Sequence, residues 1–317
     1  MSEKYSDALV LSIVVPVYCE SACLEESLMT IAREARSLRE PFEIVVVDDG
    51  STDDTWAILR KVCNVLPMIR GIRLSRNFGK EAAIAAGLEA AIGSAVIVMD
   101  ADLQHPPELI PEMVRRWRES DADIIDGVKT YPRQESLMKR LRTRLFYSLL
   151  TRLSGYELTG ASDYKLLDRR VVDAWSDLQE RDMFFRGMTA WLGFRHSKIA
   201  FTVSERAGGS SKWSLFHLSR LAVTAVTAFS ALPLHLITVA GIAFFVFAVG
   251  LAAQTLFNWI RGVAVTGFTT VILLLLIIGS GIMIGLGIVG EYIYRIYNEV
   301  KRRPRYLVSD KIGRDVH

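Results

Sequence analysis

The chain has 317 residues, of which 50% are hydrophobic, and a formal net charge of +3 at pH 7. This small net charge gives no case for nucleic-acid binding. The three cysteines form no CxxC pair, which argues against a structural zinc site. Residues 233–300 are strongly apolar, whereas residues 1–215 have the composition of a soluble domain. We therefore expect a soluble domain followed by a membrane segment.

The soluble part alternates between short apolar runs and helical stretches. Predicted strands cover Leu11–Val17, Phe42–Val47, Met68–Leu74 and Val96–Met99, and a fifth includes Ile124 and Ile125. Predicted helices cover residues 24–38, 81–91 and 107–119, and another begins at Asp53 and Asp54. This order predicts an α/β fold with a mostly parallel sheet and helices on both faces. Neither a dinucleotide fingerprint nor a P-loop is present in the sequence.

Polar side chains follow the predicted strands, at the edge where α/β proteins bind ligands. The four clusters are Tyr18 and Glu20; Asp48 and Asp49; Arg76, Asn77 and Lys80; and Asp100 and Asp102. Any one cluster is explained equally well by loop solvation, but four at one edge favour a binding site. Asp100 and Asp102 provide hard oxygen ligands for a divalent ion that also binds phosphate.

Two uncharged apolar segments, Leu234–Trp259 and Val263–Val289, each exceed the roughly 20 residues that cross a bilayer. The connector, residues 258–262, is short, so the two spans form a hairpin. Lys212, Arg220 and the basic run 301–305 flank it on one side. The positive-inside rule then puts the soluble domain and both termini in the cytoplasm. Glycines in the second span indicate close helix packing, within the hairpin or between protomers of a homo-oligomer.

Four motifs in order resemble the family-2 glycosyltransferases, which have a GT-A fold. They are Ile13–Glu20, Val45–Asp54, Leu74–Glu81 and Met99–Glu108. Together with the hairpin, the whole chain is similar to the polyprenyl-phosphate glycosyltransferases, which include bactoprenol glucosyl transferases and dolichol-phosphate mannose synthase. The resemblance implies a GT-A domain over residues 1–213, an amphipathic juxtamembrane helix over 214–232, two transmembrane helices over 233–300 and a basic cytoplasmic tail over 301–317.

The resemblance also implies a reaction. A hexose, expected to be glucose from UDP-glucose, would pass with inversion to undecaprenyl phosphate at the inner membrane, for modification of a cell-envelope glycan. Mg²⁺ or Mn²⁺ would assist. Transfer of mannose or aminoarabinose to a lipid phosphate is the alternative. A processive polysaccharide synthase is another, although the Gln-x-x-Arg-Trp segment typical of that class is absent from the sequence. A non-enzymatic membrane scaffold is a third.

The same resemblance assigns roles on the donor side. Nucleotide-sugar binding would fall to Pro16, Tyr18, Glu20, Asp48, Asp49, Lys80, Asp100, Arg206 and Lys212. Asp102 would be the main metal ligand, with Asp100 and Gln104 beside it. Arg206 and Lys212 lie in a glycine-rich loop that would close over the diphosphate. That loop also fits a juxtamembrane linker that contacts anionic lipid.

On the acceptor side, Asp163 matches the first residue of a family segment that usually reads Asp-Phe-Arg-Leu. Tyr164 and Lys165 replace the Phe and the Arg. Asp163 would be a base, an orienting group or a metal ligand; alternatively, it caps a helix that begins near Arg169. The basic cluster Arg140, Arg142 and Arg144 would bind the lipid phosphate, or would simply be a solvated helix face.

Overall fold

The computed structural model describes residues 11–130, 161–178, 185–202, 232–262, 267–301 and 303–313. The chain divides into two compact units. The first, the sheet unit, comprises Met1–Lys212 and Pro304–His317, and the second, the hairpin unit, comprises Trp213–Arg303. The predicted amphipathic helix at 214–232 lies outside the described residues, apart from its last residue.

The sheet unit is built on one eight-stranded sheet in the order β7-β5-β6-β4-β1-β2-β3-β8. The strands are β1 Leu11–Val17, β2 Phe42–Asp48, β3 Ile69–Leu74, β4 Ala95–Val98, β5 Ile124–Thr130, β6 Ala161–Asp168, β7 His196–Thr202 and β8 Val308–Ile312. The helices are α1 Leu24–Arg36, α2 Thr55–Val65, α3 Lys80–Ala90, α4 Ile110–Glu119, α5 Arg169–Ser176 and α6 Phe185–Trp191. The predicted α/β fold is confirmed.

The parallel half of the sheet consists of β1 to β4. β1 pairs in parallel with β2 and β4, and β2 pairs in parallel with β3. β1 is buried throughout, as expected for a central strand covered by helices on both faces. Gly87 on α3 faces Val14 so closely that an added Cβ would clash with it, and α3 therefore lies directly on β1. As a result, the first residue of α3, Lys80, lies near the carboxyl ends of β1 and β4.

The mixed half consists of β5 to β7. β6 runs antiparallel to both β4 and β5, so the amino end of β6 lies at the edge where β4 and β5 end. The β5–β6 register shifts between Asp126 and Val128 because β6 carries extra residues there. Such irregularities re-aim side chains and are common beside active sites. β5 is five residues longer than its predicted Ile124–Ile125 core.

The end of the chain returns to the sheet unit. β8 pairs antiparallel with β3, although sequence analysis assigned residues 301–317 only to a basic tail. Tyr306 donates a hydrogen bond of 2.5 Å to Glu89 on α3, and the indole of Trp56 donates one of 3.3 Å to Asp310. The strand thus covers an edge of the sheet that would otherwise expose unpaired backbone groups.

The hairpin unit contains two long helices, α7 Leu232–Ile260 and α8 Phe268–Val300. Their windows Ile237–Asn258 and Ile277–Tyr294 are long and apolar enough to cross a membrane. Apolar side chains such as Phe245 and Ile282 are exposed, as lipid-facing side chains would be. Gly285 is one point where the two helices pack, because an added Cβ there would lie 3.4 Å from the Ile237 side chain. These candidate spans agree with the predicted pair.

Candidate functional site

The two carboxylates of the Asp-x-Asp sequence lie in a tight turn after β4. Asp102 is exposed, and its Oδ1 accepts a hydrogen bond from the backbone N–H of Gln104 at 3.1 Å. Leu103, between Asp102 and Gln104, has a φ of +56°, which is uncommon for a residue with a side chain. The Asp100 side chain is 27% exposed. The turn therefore presents one open carboxylate and one half-buried carboxylate at the sheet edge.

The buried His105 side chain holds this turn in place. Its Nδ1 accepts a hydrogen bond of 3.0 Å from the Asp100 backbone N–H, and its ring stacks on Tyr164 with a centroid separation of 5.0 Å. Burial lowers the pKa of His105 to about 4, which keeps the imidazole neutral and able to accept at Nδ1. The Tyr164 hydroxyl in turn donates to the Pro106 carbonyl at 3.0 Å. His105 thus orders the turn, and Tyr164 fills the place of the family's Phe with its hydroxyl satisfied.

Lys80 joins the two halves of the sheet. Continuing the β4–β6 register by two residues places Asp100 opposite Asp163. The Lys80 ammonium lies 2.6 Å from Asp100 Oδ1 and 2.7 Å from Asp163 Oδ2. Without this cation, two carboxylates would face each other across neighbouring strands and repel. Burial would lower the pKa of Lys80, but Asp100 and Asp163 outweigh it and raise that pKa, so the ammonium stays charged.

Asp163 also accepts two hydrogen bonds from Arg186 on α6. Arg186 Nε donates to Oδ1 at 2.6 Å and its Nη2 donates to Oδ2 at 3.0 Å. Burial would raise the pKa of Asp163, but Arg186 and then Lys80 hold it well below its usual range. A carboxylate held this firmly in its ionised form is a weak proton acceptor, and its geometry fits an orienting role. The cap of α5 is instead Asp168, which accepts from the Arg170 backbone N–H at 3.0 Å.

A cleft of about 300 Å³ opens beside these groups. It is lined by Pro16, Val17, Tyr18, Glu20, Asp49, Asn77, Gly79, Lys80, Ala83, Asp100, Ala101 and Asp102. Pro16 has no backbone N–H, but the sheet loses no hydrogen bond to β4 because of it. The N–H of Met99 donates to the Val14 carbonyl at 3.1 Å, and β4 ends before it reaches Pro16. The cleft thus brings together most of the residues predicted for the donor side.

The two carboxylates after β2 differ in role. Asp49 lines the cleft and accepts from the backbone N–H groups of Phe78 and Gly79 at 2.7 and 2.8 Å, so it also fixes the loop before Lys80. Burial raises its pKa. Asp48 is fully buried; it accepts from the Ser51 N–H at 2.9 Å and its Oδ2 lies 3.3 Å from Arg73 Nε. Asp48 therefore shapes the loop and is not among the residues that line the cleft; its part in nucleotide binding stays a prediction.

Other predicted residues differ in how far the structure describes them. Gln104 lies in the turn after β4, where its backbone holds Asp102. Arg140, Arg142, Arg144, Arg206 and Lys212 all fall outside the described residues. Their roles on the lipid phosphate and the diphosphate stay predictions.

Three residues near the site were given no role by the sequence analysis: Glu81, Lys129 and Arg186. Lys129, at the carboxyl end of β5, is half-buried; burial lowers its pKa, while Asp100 and Asp102 act in the opposite direction. A predicted β5 that extended to Thr130 would have placed Lys129 at the carboxyl end of a strand, where ligands bind. Arg186 follows a segment with no motif, so no comparable signal pointed to it.

Lys165, which replaces the family's Arg, lies behind the site rather than in it. It is 3% exposed and forms an ion pair with Asp126, which also lies 2.6 Å from Nδ1 of His196. Burial would raise the pKa of Asp126, but the contacts with His196 and Lys165 lower it to about 2. This buried pair ties β5 to β6 below Asp163.

The donor atoms at the edge suit a divalent ion shared with a ligand. Among the described residues, no group of three or more His, Cys, Asp or Glu side chains is arranged to hold a metal. Asp102, exposed and outside any described ion pair, and Asp100 supply two carboxylates. Mg²⁺ is commonly held by one or two carboxylates plus substrate phosphates. The residues present therefore fit an ion that binds together with a diphosphate.

Comparison with known proteins identifies the family. A model of glycosyl transferase family 2 matches residues 12–174. The chain belongs to glycosyl transferase family 2. This confirms the predicted family and its GT-A fold, and the chain is a glycosyltransferase.

Two relatives match this family 2 member over nearly its whole length, and a solved structure matches part of it. An uncharacterized glycosyltransferase of Synechocystis sp. is 38% identical and is covered over 96% of each chain. The SfII prophage-derived bactoprenol glucosyl transferase of Shigella flexneri is 34% identical over 94% of this chain and 97% of the relative. Glucosyl-3-phosphoglycerate synthase from Mycobacterium tuberculosis, solved with Mn²⁺, UDP and phosphoglyceric acid, has a TM-score of 0.47 at 21% identity, covering 69% of this chain and 76% of that one.

Proposed function

We propose that this family 2 glycosyltransferase transfers a hexose, glucose from UDP-glucose, to undecaprenyl phosphate. The observation that carries the proposal is the 34% identity to a protein named bactoprenol glucosyl transferase over 94% of this chain. That alignment includes the hairpin unit, which a transferase for water-soluble acceptors would not need. Glucose is the favoured sugar because that relative is named a glucosyl transferase, and UDP is proposed as its nucleotide. Mannosyl and aminoarabinosyl donors are outcomes of the test.

The donor would bind in the cleft beside Lys80, with its diphosphate toward Asp100 and Asp102. Mg²⁺ or Mn²⁺ held by these carboxylates would neutralise the charge that grows on the leaving diphosphate. Lys80 would supply a fixed positive charge at the same place. Arg206 and Lys212 are proposed to add cations to the diphosphate when the nucleotide-sugar binds.

The acceptor phosphate would approach from the mixed half of the sheet. A phosphate monoester has a second pKa near 6, so at neutral pH it is already largely a dianion and needs no strong base. Its oxygen attacks the anomeric carbon, the bond from that carbon to the diphosphate oxygen breaks, and nucleoside diphosphate leaves with inversion. Asp163 would orient Lys80 and Arg186 for this step. Lys129, together with Arg140, Arg142 and Arg144, would contact the acceptor phosphate.

We also propose a two-span topology at the inner membrane, with the sheet unit and both termini in the cytoplasm. The basic flanks support this orientation. The return of β8 to the same sheet supports the number of spans, because an even number of crossings is needed for both ends of the hairpin to join one domain. A homo-oligomer remains part of the proposal, on the strength of the glycines in α8.

A donor panel tests the proposal. Purified full-length protein would be incubated with undecaprenyl phosphate and labelled UDP-glucose, UDP-N-acetylglucosamine or GDP-mannose. We expect label in organic-extractable lipid from UDP-glucose above all, with the inverted anomeric configuration by NMR. Preference for another donor would overturn the sugar assignment. Transfer from no donor would overturn the activity.

A further inference from the structure

Glu81 is the second residue of α3, directly after Lys80, and nothing in the proposed reaction uses it. It is partly buried, and its Oε2 accepts a hydrogen bond of 2.8 Å from the backbone N–H of Phe185. Phe185 is the first residue of α6, and the next residue is Arg186. Two adjacent residues of α3 thus face two adjacent residues of α6, with Asp163 between the cations.

The contacts form a closed set. Lys80 and Arg186 both donate to Asp163, while Glu81 holds the backbone one residue before Arg186. The Phe185 side chain is fully buried and packs edge-on against Trp175 at 5.4 Å, so the start of α6 has two anchors. Of these two contacts, the one with Glu81 is polar, and it joins α6 to α3, the helix that carries Lys80.

We propose that Glu81 is a positioning residue: by holding the Phe185 N–H, it sets the reach of Arg186 to Asp163 and hence the geometry of the Lys80–Asp163–Arg186 cluster. This inference rests on the proposed transfer reaction for its kinetic consequences, but its structural part does not. The charged groups around Glu81 are Lys80, Asp163 and Arg186. Burial, and then the negative charge of Asp163, raise the pKa of Glu81 to about 7. Its hydrogen bond can be accepted in either protonation state.

The proposal predicts a specific pattern of kinetics. Glu81→Ala removes the acceptor and lowers kcat about tenfold to 100-fold, because small misplacements of a reacting group are costly. KM for the donor stays within about twofold, since Glu81 does not line the cleft. Glu81→Gln keeps an acceptor oxygen and restores most of kcat. Glu89→Ala, at the far end of the same helix, is the matched control and leaves kcat unchanged.

A double-mutant cycle separates positioning from mere structural support. In an Arg186→Ala background, Glu81→Ala is expected to cost less than about twofold, because the residue through which it acts is gone. Additive losses, or a Glu81→Gln variant as slow as Glu81→Ala, would overturn the proposal. If Glu81→Ala does not fold, Glu81→Asp, which keeps the charge but shortens the reach, replaces it in the cycle.

Hydrogen exchange on the full-length protein tests the structural part without activity. We expect Glu81→Ala, but not Glu81→Gln or Glu89→Ala, to speed exchange of peptides that cover residues 185–191. Unchanged exchange in Glu81→Ala would contradict the proposal. A wild-type protein that transfers no sugar would instead overturn the proposed function and leave this exchange result as the test of Glu81.

Discussion

The two halves of the sheet bring side chains to the same edge by different means. In the parallel half, each strand ends and polar residues such as Asp49 and Asp100 follow it into a cleft. In the mixed half, β6 runs in the opposite direction, and Asp163 near its start is neutralised by Lys80 and Arg186. The parallel half therefore offers open ligand positions fixed by backbone, whereas the mixed half depends on a balance of charges. Loss of a metal-binding carboxylate from the parallel half should therefore abolish sugar transfer. Loss of a charge from the mixed half should disturb the positions of the neighbouring side chains.

The largest expected effect is in the parallel half, at Asp102. Asp102→Asn removes the charge of the open carboxylate and should lower kcat about 1,000-fold, the upper range for losing one electrostatic contact to a transition state. Transfer of labelled hexose into extractable lipid measures it. Asp121→Asn is the control, because Asp121 is 96% exposed and precedes β5 at the opposite end of that strand. Retention of a tenth of wild-type activity by Asp102→Asn would show that the parallel half does not work through this carboxylate.

Lys80 connects the halves, and its removal should blur the difference between them. Lys80→Met is expected to reduce kcat about 100-fold, since the cation near the diphosphate and the link between Asp100 and Asp163 are both lost. Asp163 keeps its contacts with Arg186 but loses the second cation, so its pKa should rise toward its ordinary value. Transfer of labelled hexose at neutral pH measures the loss of activity, with the exposed Lys61→Met as the control. Retention of a third or more of wild-type kcat by Lys80→Met would contradict the role given to Lys80.

The mixed half should also be the more sensitive to loss of a buried charge. Asp126→Asn leaves Lys165 buried without its partner and should destabilise the fold by about 3–5 kcal/mol. Because the pKa of Asp126 lies near 2 in the fold and at 3.8 in a free chain, its stabilising effect is present above pH 4 and is lost as the pH falls toward 2. Thermal unfolding checks both points. The double variant Asp126→Leu with Lys165→Met should recover part of the lost stability. If Asp126→Asn alone were less destabilising than the double variant, the pairing would be contradicted.

The smallest expected effect concerns His105, which joins both halves through Asp100 and Tyr164. Its folded pKa of about 4 lies below the ordinary 6.5, so protonation favours the unfolded chain, and stability should decline as the pH falls from 6.5 to 4. The raised pKa of Glu81 acts in the opposite direction, so the wild-type profile alone is not diagnostic. The difference between His105→Gln and wild type isolates the effect. If the melting temperatures of the two proteins changed with pH in the same way, the effect of His105 on stability would be ruled out.

Sequence patterns predicted the parallel half well because its site follows from strand ends. A buried strand must stop where Asp100 begins, and parallel strands share that edge, so the positions of polar residues after the strands locate the cleft. The pattern could not tell Asp48 from Asp49: Asp48 turns inward to Ser51 and Arg73, whereas Asp49 lines the cleft. The mixed half was harder, since Arg186 reaches Asp163 only through tertiary packing of α6. β8 was missed because a short exposed segment after the hairpin unit gives no amphipathic signal.

Metal-dependent transfer to lipid is the central claim, and one assay tests it most directly. Full-length protein would be mixed with undecaprenyl phosphate and labelled UDP-glucose, then treated with EDTA, and finally supplied with Mg²⁺ or Mn²⁺. We predict label in the lipid fraction, its loss with EDTA and its return with either ion. Transfer that persists in EDTA would contradict the role given to Asp100 and Asp102, and label confined to water-soluble products would contradict the lipid acceptor.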